Sequence, residues 1–263
     1  VWGAGGWLFT LGALDFAGGT VVHICAGFSA LALAIVLGPR KGYGKGEAME
    51  SHNVPMVVLG AGLLWFGWFG FNAGSALTSG GLASSAFVAT NTSAATAALT
   101  WMALSWWDRR PSALGTATGA VAGLVAITPA AGFISPIMAI PVGIAVSCLC
   151  YYCIRLRVRL GVDESLDVWA VHGMGGVWGA LATGLFADPA VSGGAAGLIY
   201  GNPAQVGLQA LGVVAVAAFA FSVSYGLGRL LSSLVGLRVP GREETLGLDL
   251  AQHAERAYGG AVS

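Results

Sequence analysis

The sequence predicts an all-α fold, a polytopic transmembrane helical bundle of seven spans. Three observations carry this reading. Hydrophobic residues make up 56% of the 263 residues and charged residues only 9%, against roughly 25% charge in soluble domains. Seven apolar stretches, at 14–38, 54–77, 82–107, 113–132, 134–154, 166–187 and 204–236, come near the about 20 residues needed to cross a bilayer core. His23 and His172 lie inside two of those stretches, and an ionisable residue within a membrane by default marks a pathway or a proton relay.

The first stretch carries Asp15, Gly18-Gly19 and His23, with Cys25 beyond. Asp15 stands between Leu14 and Phe16, where its expected job is to cap backbone N–H groups at a helix start or to fix the neighbouring chain. A direct cation ligand is the second choice. The second stretch is dense in aromatics, Leu64-Trp65-Phe66-Gly67-Trp68-Phe69-Gly70-Phe71-Asn72-Ala73-Gly74-Ser75. Phe71 and Ser75 are four residues apart and share one helix face. An aromatic ring can hold a cation and a hydroxyl can accept an N–H bond, although such density equally serves packing.

The third stretch ends on Trp106-Trp107 and the fifth on Tyr151-Tyr152, as in an interfacial aromatic belt. The fourth is short, punctuated by Pro129 and Gly132, and repeats G-x-x-x-G at Gly115, Gly119 and Gly123, a spacing that lets helices approach closely. In the fifth, Cys148, Cys150 and Cys153 read as apolar filler, because Cys148 and Cys150 point about 200° apart on a helix. The sixth carries His172 amid Gly173, Gly175, Gly176, Gly179 and Gly184. The seventh leads into a charged tail, so residues 1–237 read as the membrane domain and 238–263 as a cytoplasmic tail.

The connections give an orientation. All 12 Lys and Arg residues fall in alternate connections: Arg40, Lys41 and Lys45; Arg109 and Arg110; Arg155, Arg157 and Arg159; and Arg229, Arg238, Arg242 and Arg256 at or beyond the last span. Positive residues mark the cytoplasmic side of a cell membrane, which puts the N-terminus outside and the C-terminus inside. The zero net charge offers no basic patch for nucleic acid. The chain starts at Val1 in a Trp- and Gly-rich run with no visible signal peptide, and reads as a fragment lacking an N-terminal part.

A carboxylate precedes each buried histidine by eight residues, Asp15 before His23 and Glu164 before His172. On a continuous helix that spacing puts each pair about 12 Å apart on one face, and the two stretches resemble copies in an inverted repeat. Glu164, with Asp163 and Ser165, also reads as the acidic first turn of the sixth span.

Several of these stretches resemble the ammonium transporter family (Amt/Mep, related to Rh proteins). They are Leu14-Asp15-Phe16-Ala17-Gly18-Gly19-Thr20-Val21-Val22-His23, the run from Gly67 to Ala76, the run from Gly119 to Gly132, and Asp167-Val168-Trp169-Ala170-Val171-His172-Gly173. The tail Gly247-Leu248-Asp249-Leu250-Ala251-Gln252-His253-Ala254-Glu255 is similar to the family's cytoplasmic tail motif.

The resemblance implies an eleven-span inverted-repeat transporter fold of which this chain holds spans five to eleven, assembled as a homotrimer with one pore per subunit. It implies that Trp2, Phe71 and Ser75 line an outer recruitment site for ammonium, that Phe71 also forms half of a gate, and that Trp68 neighbours the site. His23 and His172 become paired pore histidines, with Asp15, Glu164 and Asp167 as structural carboxylates. It further implies passage of ammonium or ammonia and docking of a P-II-type regulator at the tail.

Other classes fit less well. A retinal receptor needs a Schiff-base lysine in its last span, and the last lysine is Lys45. A metal or nucleophilic enzyme would need ligand spacing or an elbow motif such as HExxH or GxSxG, neither of which occurs; no cofactor, metal or catalytic step is expected. An ammonium sensor with little transport is the remaining alternative.

Overall fold

A computed structural model describes residues 1–47 and 49–256. The end of the expected tail, 257–263, lies outside the described residues. Among those described, the chain is helical with no strand. After a single turn at Trp7–Thr10 come α1 (Gly19–Leu37), α2 (Val54–Gly74), α3 (Gly81–Asp108) and α4 (Ala113–Ile127). Then follow α5 (Pro136–Arg159), α6 (Trp169–Met174 continued by Gly175–Phe186), α7 (Ala204–Leu234) and two short tail helices, α8 (Gly241–Leu246) and α9 (Leu248–His253).

Each apolar stretch thus contains a helix, but the boundaries moved. Four helices, α1, α2, α5 and α7, are long and apolar enough to cross a membrane. The other three fall short for different reasons. Helix α3 is the longest but one and is rich in Ser and Thr. Its polar groups are spent on neighbours: Thr90 Oγ1 accepts from Asn72 Nδ2 at 3.0 Å, and Ser93 Oγ donates to the Gly123 carbonyl at 2.8 Å. Polar side chains used this way join apolar helices. Helix α6 carries His172 and its glycines. Helix α4 stops at Ile127, because Pro129 has no N–H to continue the ladder and the chain turns through 128–135.

Helix α5 runs on to Arg159, past the expected end at 154, so Arg155, Arg157 and Arg159 lie in its final turns. There they face the negative end of the helix dipole. Arg155 also pairs with Asp108 at the end of α3 and lies over the Tyr151 ring at 4.7 Å.

Small residues set how closely the helices meet. A Cβ on Gly119 would lie 2.5 Å from the Trp101 Cβ, and one on Gly123 would lie 2.5 Å from the Ser93 carbonyl oxygen. The expected G-x-x-x-G row is therefore the seam between α4 and α3. Helix α2 is the reverse case. Apart from Trp68 and Asn72 its side chains are at least partly exposed, the apolar Leu63 and Phe66 among them.

The connections gather at two ends. At one end, Arg40 beyond α1 bonds Asp163 ahead of α6 at 2.7 Å, and Arg238 donates to the Leu37 carbonyl at 3.1 Å. Lys41 reaches the tail through its amide to Glu244 (2.6 Å) and its ammonium to Thr245 (2.7 Å). At the other end, the Asp188 amide donates to the Phe133 carbonyl at 2.7 Å. The loops of the first end carry lysine and arginine, and those of the second carry none.

Candidate functional site

The site is built where α1 and α6 begin, and the start of α1 is the main departure from the expected span. Residues 13–18 are not helical; the helix begins at Gly19. A buried non-helical strip must satisfy its backbone polar groups from neighbours. Gln209 of α7 accepts the Leu14 amide and donates to the Leu14 carbonyl, both at 2.7 Å. Gln205 donates to the Gly12 carbonyl at 2.9 Å. On the other flank, the amides of Phe16 and Ala17 donate to the carbonyls of Pro129 and Thr128, both at 3.1 Å.

Asp15 closes this strip onto the helix. Its carboxylate accepts the amides of Gly18 (3.1 Å), Thr20 (3.0 Å) and Val21 (3.1 Å), which are otherwise orphan donors of a helix start. Gly18, at φ 113, makes the reversal that brings them round. These three bonds tie the Asp15 side chain to the start of α1. Glu164 does the same for α6, accepting the amides of Leu166 (3.2 Å) and Trp169 (3.0 Å). The continuous helix assumed between each carboxylate and its histidine does not form, because residues 15–18 and 164–167 are not helical.

Both helices open with a π-helical turn, Gly19–Ile24 in α1 and Trp169–Met174 in α6. Each turn contains the histidine. A π turn widens the helix by one residue and re-aims its side chains, and such turns concentrate at functional sites. The same unit, an acidic cap followed by a π turn bearing histidine, therefore occurs twice.

The two units meet because α1 and α6 cross at glycines. A Cβ on Gly27 would lie 2.2 Å from the Gly173 Cα. His23 sits one turn before Gly27 and His172 directly before Gly173, and their Nδ1 atoms are 3.2 Å apart. His23 is 3% exposed, so water does not solvate that ring.

The aromatic stretch of α2 closes the other side. Trp68 stacks on His23 at 5.3 Å and 22°, Phe71 lies 6.1 Å from the same ring, and the two aromatics meet edge-on at 5.6 Å. A cavity of about 300 Å³ is lined by His23, Leu63, Leu64, Gly67, Trp68 and Phe71. A second, of about 320 Å³, is bordered by His172 together with Leu64, Val121, Leu166 and Val171. One histidine borders each cavity, and Leu64 borders both.

Four expected site residues, His23, His172, Trp68 and Phe71, are thus brought together. Ser75 caps the end of α2 and donates to the Phe71 carbonyl at 2.8 Å, which leaves its oxygen lone pairs free to accept. Trp2 is held on the Asp15 side, its indole N–H donating to the Asp15 carbonyl at 2.7 Å. Asp167, with φ 56, pairs at 2.7 Å with buried Arg157, which also donates to the Val162 carbonyl at 2.6 Å. Among the described residues no three His, Cys, Asp or Glu side chains converge as a metal set.

Three participants were not picked out from sequence: Arg157, the Gln205–Gln209 pair and Thr128. Thr128 Oγ1 accepts the Trp68 indole N–H at 2.9 Å and lies 3.3 Å from His23 Nε2. The available signal was a hydroxyl directly before Pro129 in an otherwise apolar run.

These features define a multi-pass helical membrane protein with a histidine pair, one ring buried and the other half-buried, each bordering a cavity. The chain belongs to the ammonium transporter family: the sequence profile described as Ammonium Transporter Family matches residues 1–258. It is 50% identical to the ammonium transporter Amt1 of Archaeoglobus fulgidus over 258 residues, covering 98% of this chain and 65% of that protein. It is 48% identical to an ammonium transporter of Bacillus subtilis, covering 98% and 64%. The crystal structure of Candida albicans Mep2 superposes with a TM-score of 0.88 at 41% identity, covering 95% of this chain and 58% of that one. A solved sensor Amt protein superposes at 0.86 with 35% identity, covering 94% and 62%. The chain thus spans somewhat under two thirds of the length of these relatives.

Proposed function

We propose that the protein carries ammonium nitrogen across a cell membrane, taking up NH4+ at an outer aromatic site and passing it as NH3 along the histidine pair. The observation that carries this reading is the 3.2 Å Nδ1–Nδ1 contact between His23 and His172, buried beside Trp68 and Phe71. Ammonium differs from K+ in offering four N–H donors and a removable proton. A phenyl ring and a hydroxyl bind it by cation–π attraction and hydrogen bonding, roles that fall to Phe71 and Ser75, with Trp2 completing the recruitment site. Carrying the ion onward past apolar walls would cost many kcal/mol.

Loss of the proton near Phe71, acting as half of a gate, removes that cost. Neutral ammonia then passes two imidazoles that share one proton and so present both a donor and an acceptor. K+ has no proton to lose and is excluded. No catalytic step and no cofactor enters this scheme.

The wider architecture proposed is seven spans, belonging to an eleven-span fold with inverted repeats and a homotrimeric assembly. The repeated cap-and-π-turn unit supports the repeat. The collection of lysine and arginine at one end supports a cytoplasmic C-terminus and an outward N-terminus. Residues 1–237 form the membrane domain and 238–263 the tail, whose helices α8 and α9 offer a docking surface for a P-II-type regulator.

The test is ammonium-dependent current or pH change in proteoliposomes of the full-length protein. A saturating response to ammonium with none to K+ is the expected result; no response to ammonium overturns conduction. Uptake in a host deficient in ammonium transport separates a transporter from a sensor of the same fold.

A further inference from the structure

The hydroxyl of Thr128 touches three groups, and counting its protons assigns those of both histidines. Thr128 Oγ1 lies 2.7 Å from the Leu124 carbonyl oxygen, 2.9 Å from Trp68 Nε1 and 3.3 Å from His23 Nε2. Thr128 is the C-terminal cap of α4. Its own amide has left the α-helical ladder and donates to the Val125 carbonyl instead. The Leu124 carbonyl, which that amide would otherwise satisfy, receives the hydroxyl proton. A threonine hydroxyl has one proton and two acceptor positions. Once the proton is given to Leu124, both remaining contacts must be accepted. The indole can only donate, so it takes one position. The other accepts from His23, which must carry its proton on Nε2.

The consequence runs through the pair. Neutral His23 with Nε2 protonated has a bare Nδ1, so the 3.2 Å contact requires His172 to donate from its own Nδ1. His172 then keeps an unprotonated Nε2. Of the four ring nitrogens, that is the one lone pair committed neither within the pair nor to Thr128, and it belongs to the ring that borders the second cavity.

We propose that Thr128 is a positioning residue that fixes the tautomers of His23 and His172, giving the pair a single proton order from His172 through His23 to Leu124. The inference deepens the conduction reading and rests on it for its purpose: the free acceptor belongs to the ring that borders the second cavity, so ammonia is received by His172 in one orientation. Thr128 need not touch the ammonia to do this.

The experiment is nitrogen NMR on the full-length protein with labelled histidine in lipid nanodiscs, at neutral pH and without ammonium. Nitrogen–nitrogen coupling across the hydrogen bond identifies the pair. The wild type is expected to show a protonated Nε2 and bare Nδ1 on His23, with the reverse on His172. Thr128→Ser keeps the hydroxyl and keeps this pattern. Thr128→Val removes the acceptor, and the preference for the Nε2–H form of His23 falls by roughly fivefold, the worth of one hydrogen bond. A wild-type spectrum with Nδ1 protonated on His23 overturns the proposal even if Thr128→Val does not fold, and so does an unchanged pattern in a folded Thr128→Val. The spectrum is independent of transport, so a protein that shows the pattern but conducts nothing loses only the conduction reading.

Discussion

Gly27 and Gly173 meet backbone to backbone, with the place of a Gly27 side chain only 2.2 Å from the Gly173 Cα. The contact lies one turn beyond His23 and immediately beyond His172, so it sets the distance between the rings. Gly27→Ala forces α1 and α6 apart, and overpacking of this kind costs about 1–3 kcal/mol. The expected outcome is a lower midpoint of thermal unfolding in detergent, together with loss of the nitrogen–nitrogen coupling between the histidines. Retention of both would show that the crossing tolerates a methyl group. Gly60→Ala is the control, because a Cβ there meets nothing within 4 Å.

Asp15 holds three amides, those of Gly18, Thr20 and Val21, at the chain reversal that Gly18 makes ahead of the π turn. Asp15→Ala leaves these donors in a dry environment, where each unsatisfied group costs about 1–3 kcal/mol. Asp15→Asn retains one acceptor oxygen and is the milder change. Faster hydrogen exchange at Thr20 and Val21 is expected in both, in the order Ala, Asn, wild type. Equal exchange in all three would mean that Asp15 does not organise the start of α1.

How far this site could be read from the sequence depends on how local each feature is. The apolar stretches announced helices because burial in lipid demands about 20 apolar residues in a row. The glycine spacing of α4 announced a seam because its reason is also local. His23 and His172 stood out because an imidazole inside such a run is costly. The beginning of α1 was not legible. Residues 13–18 are mostly apolar, and the backbone of Leu14 is satisfied by Gln209, 195 residues further along the chain. Thr128 was hidden for the same reason, since its meaning lies in Trp68 and His23, which sequence spacing does not bring near.

At the positively charged end, two carboxylates tie the loop after α1 in place. The Asp163 carboxyl is held below its ordinary range, chiefly by hydrogen bonds from the Arg40 side chain. The Glu244 carboxyl is lowered first by the Lys41 amide and then by Arg238. A depressed folded-state value means stability that is present above the unfolded value, about 4 for carboxyls, and lost as pH falls through the folded value beneath it. The attachment should therefore be unaffected between pH 7 and 5 and released below about pH 4. Hydrogen exchange at the Arg40 and Lys41 amides, which donate to Asp163 and Glu244 at 2.8 and 2.6 Å, reads it directly after correction for intrinsic rates. Asp163→Asn should expose the Arg40 amide already at pH 7. Protection that stays flat down to pH 2.5 would refute the ionic clasp.

The histidine pair makes the sharpest demand on function. If ammonium sheds its proton before the pair, selectivity depends on the pair remaining uncharged and apolar enough to refuse a cation. His23→Asp and His172→Glu each place a carboxylate where an imidazole lies beside Trp68 or within 3.2 Å of its partner. A carboxylate offers a cation the compensation that the native pair withholds. Both variants of the full-length protein are expected to change the rate of methylammonium uptake and to admit K+, read as K+-dependent current in proteoliposomes. His23→Asp should have the larger effect, because it also removes the donor to Thr128 and the stack on Trp68, whereas His172 is the less enclosed ring. Unchanged uptake and unbroken K+ exclusion in both variants would remove the histidines from the conduction path, whatever their geometry.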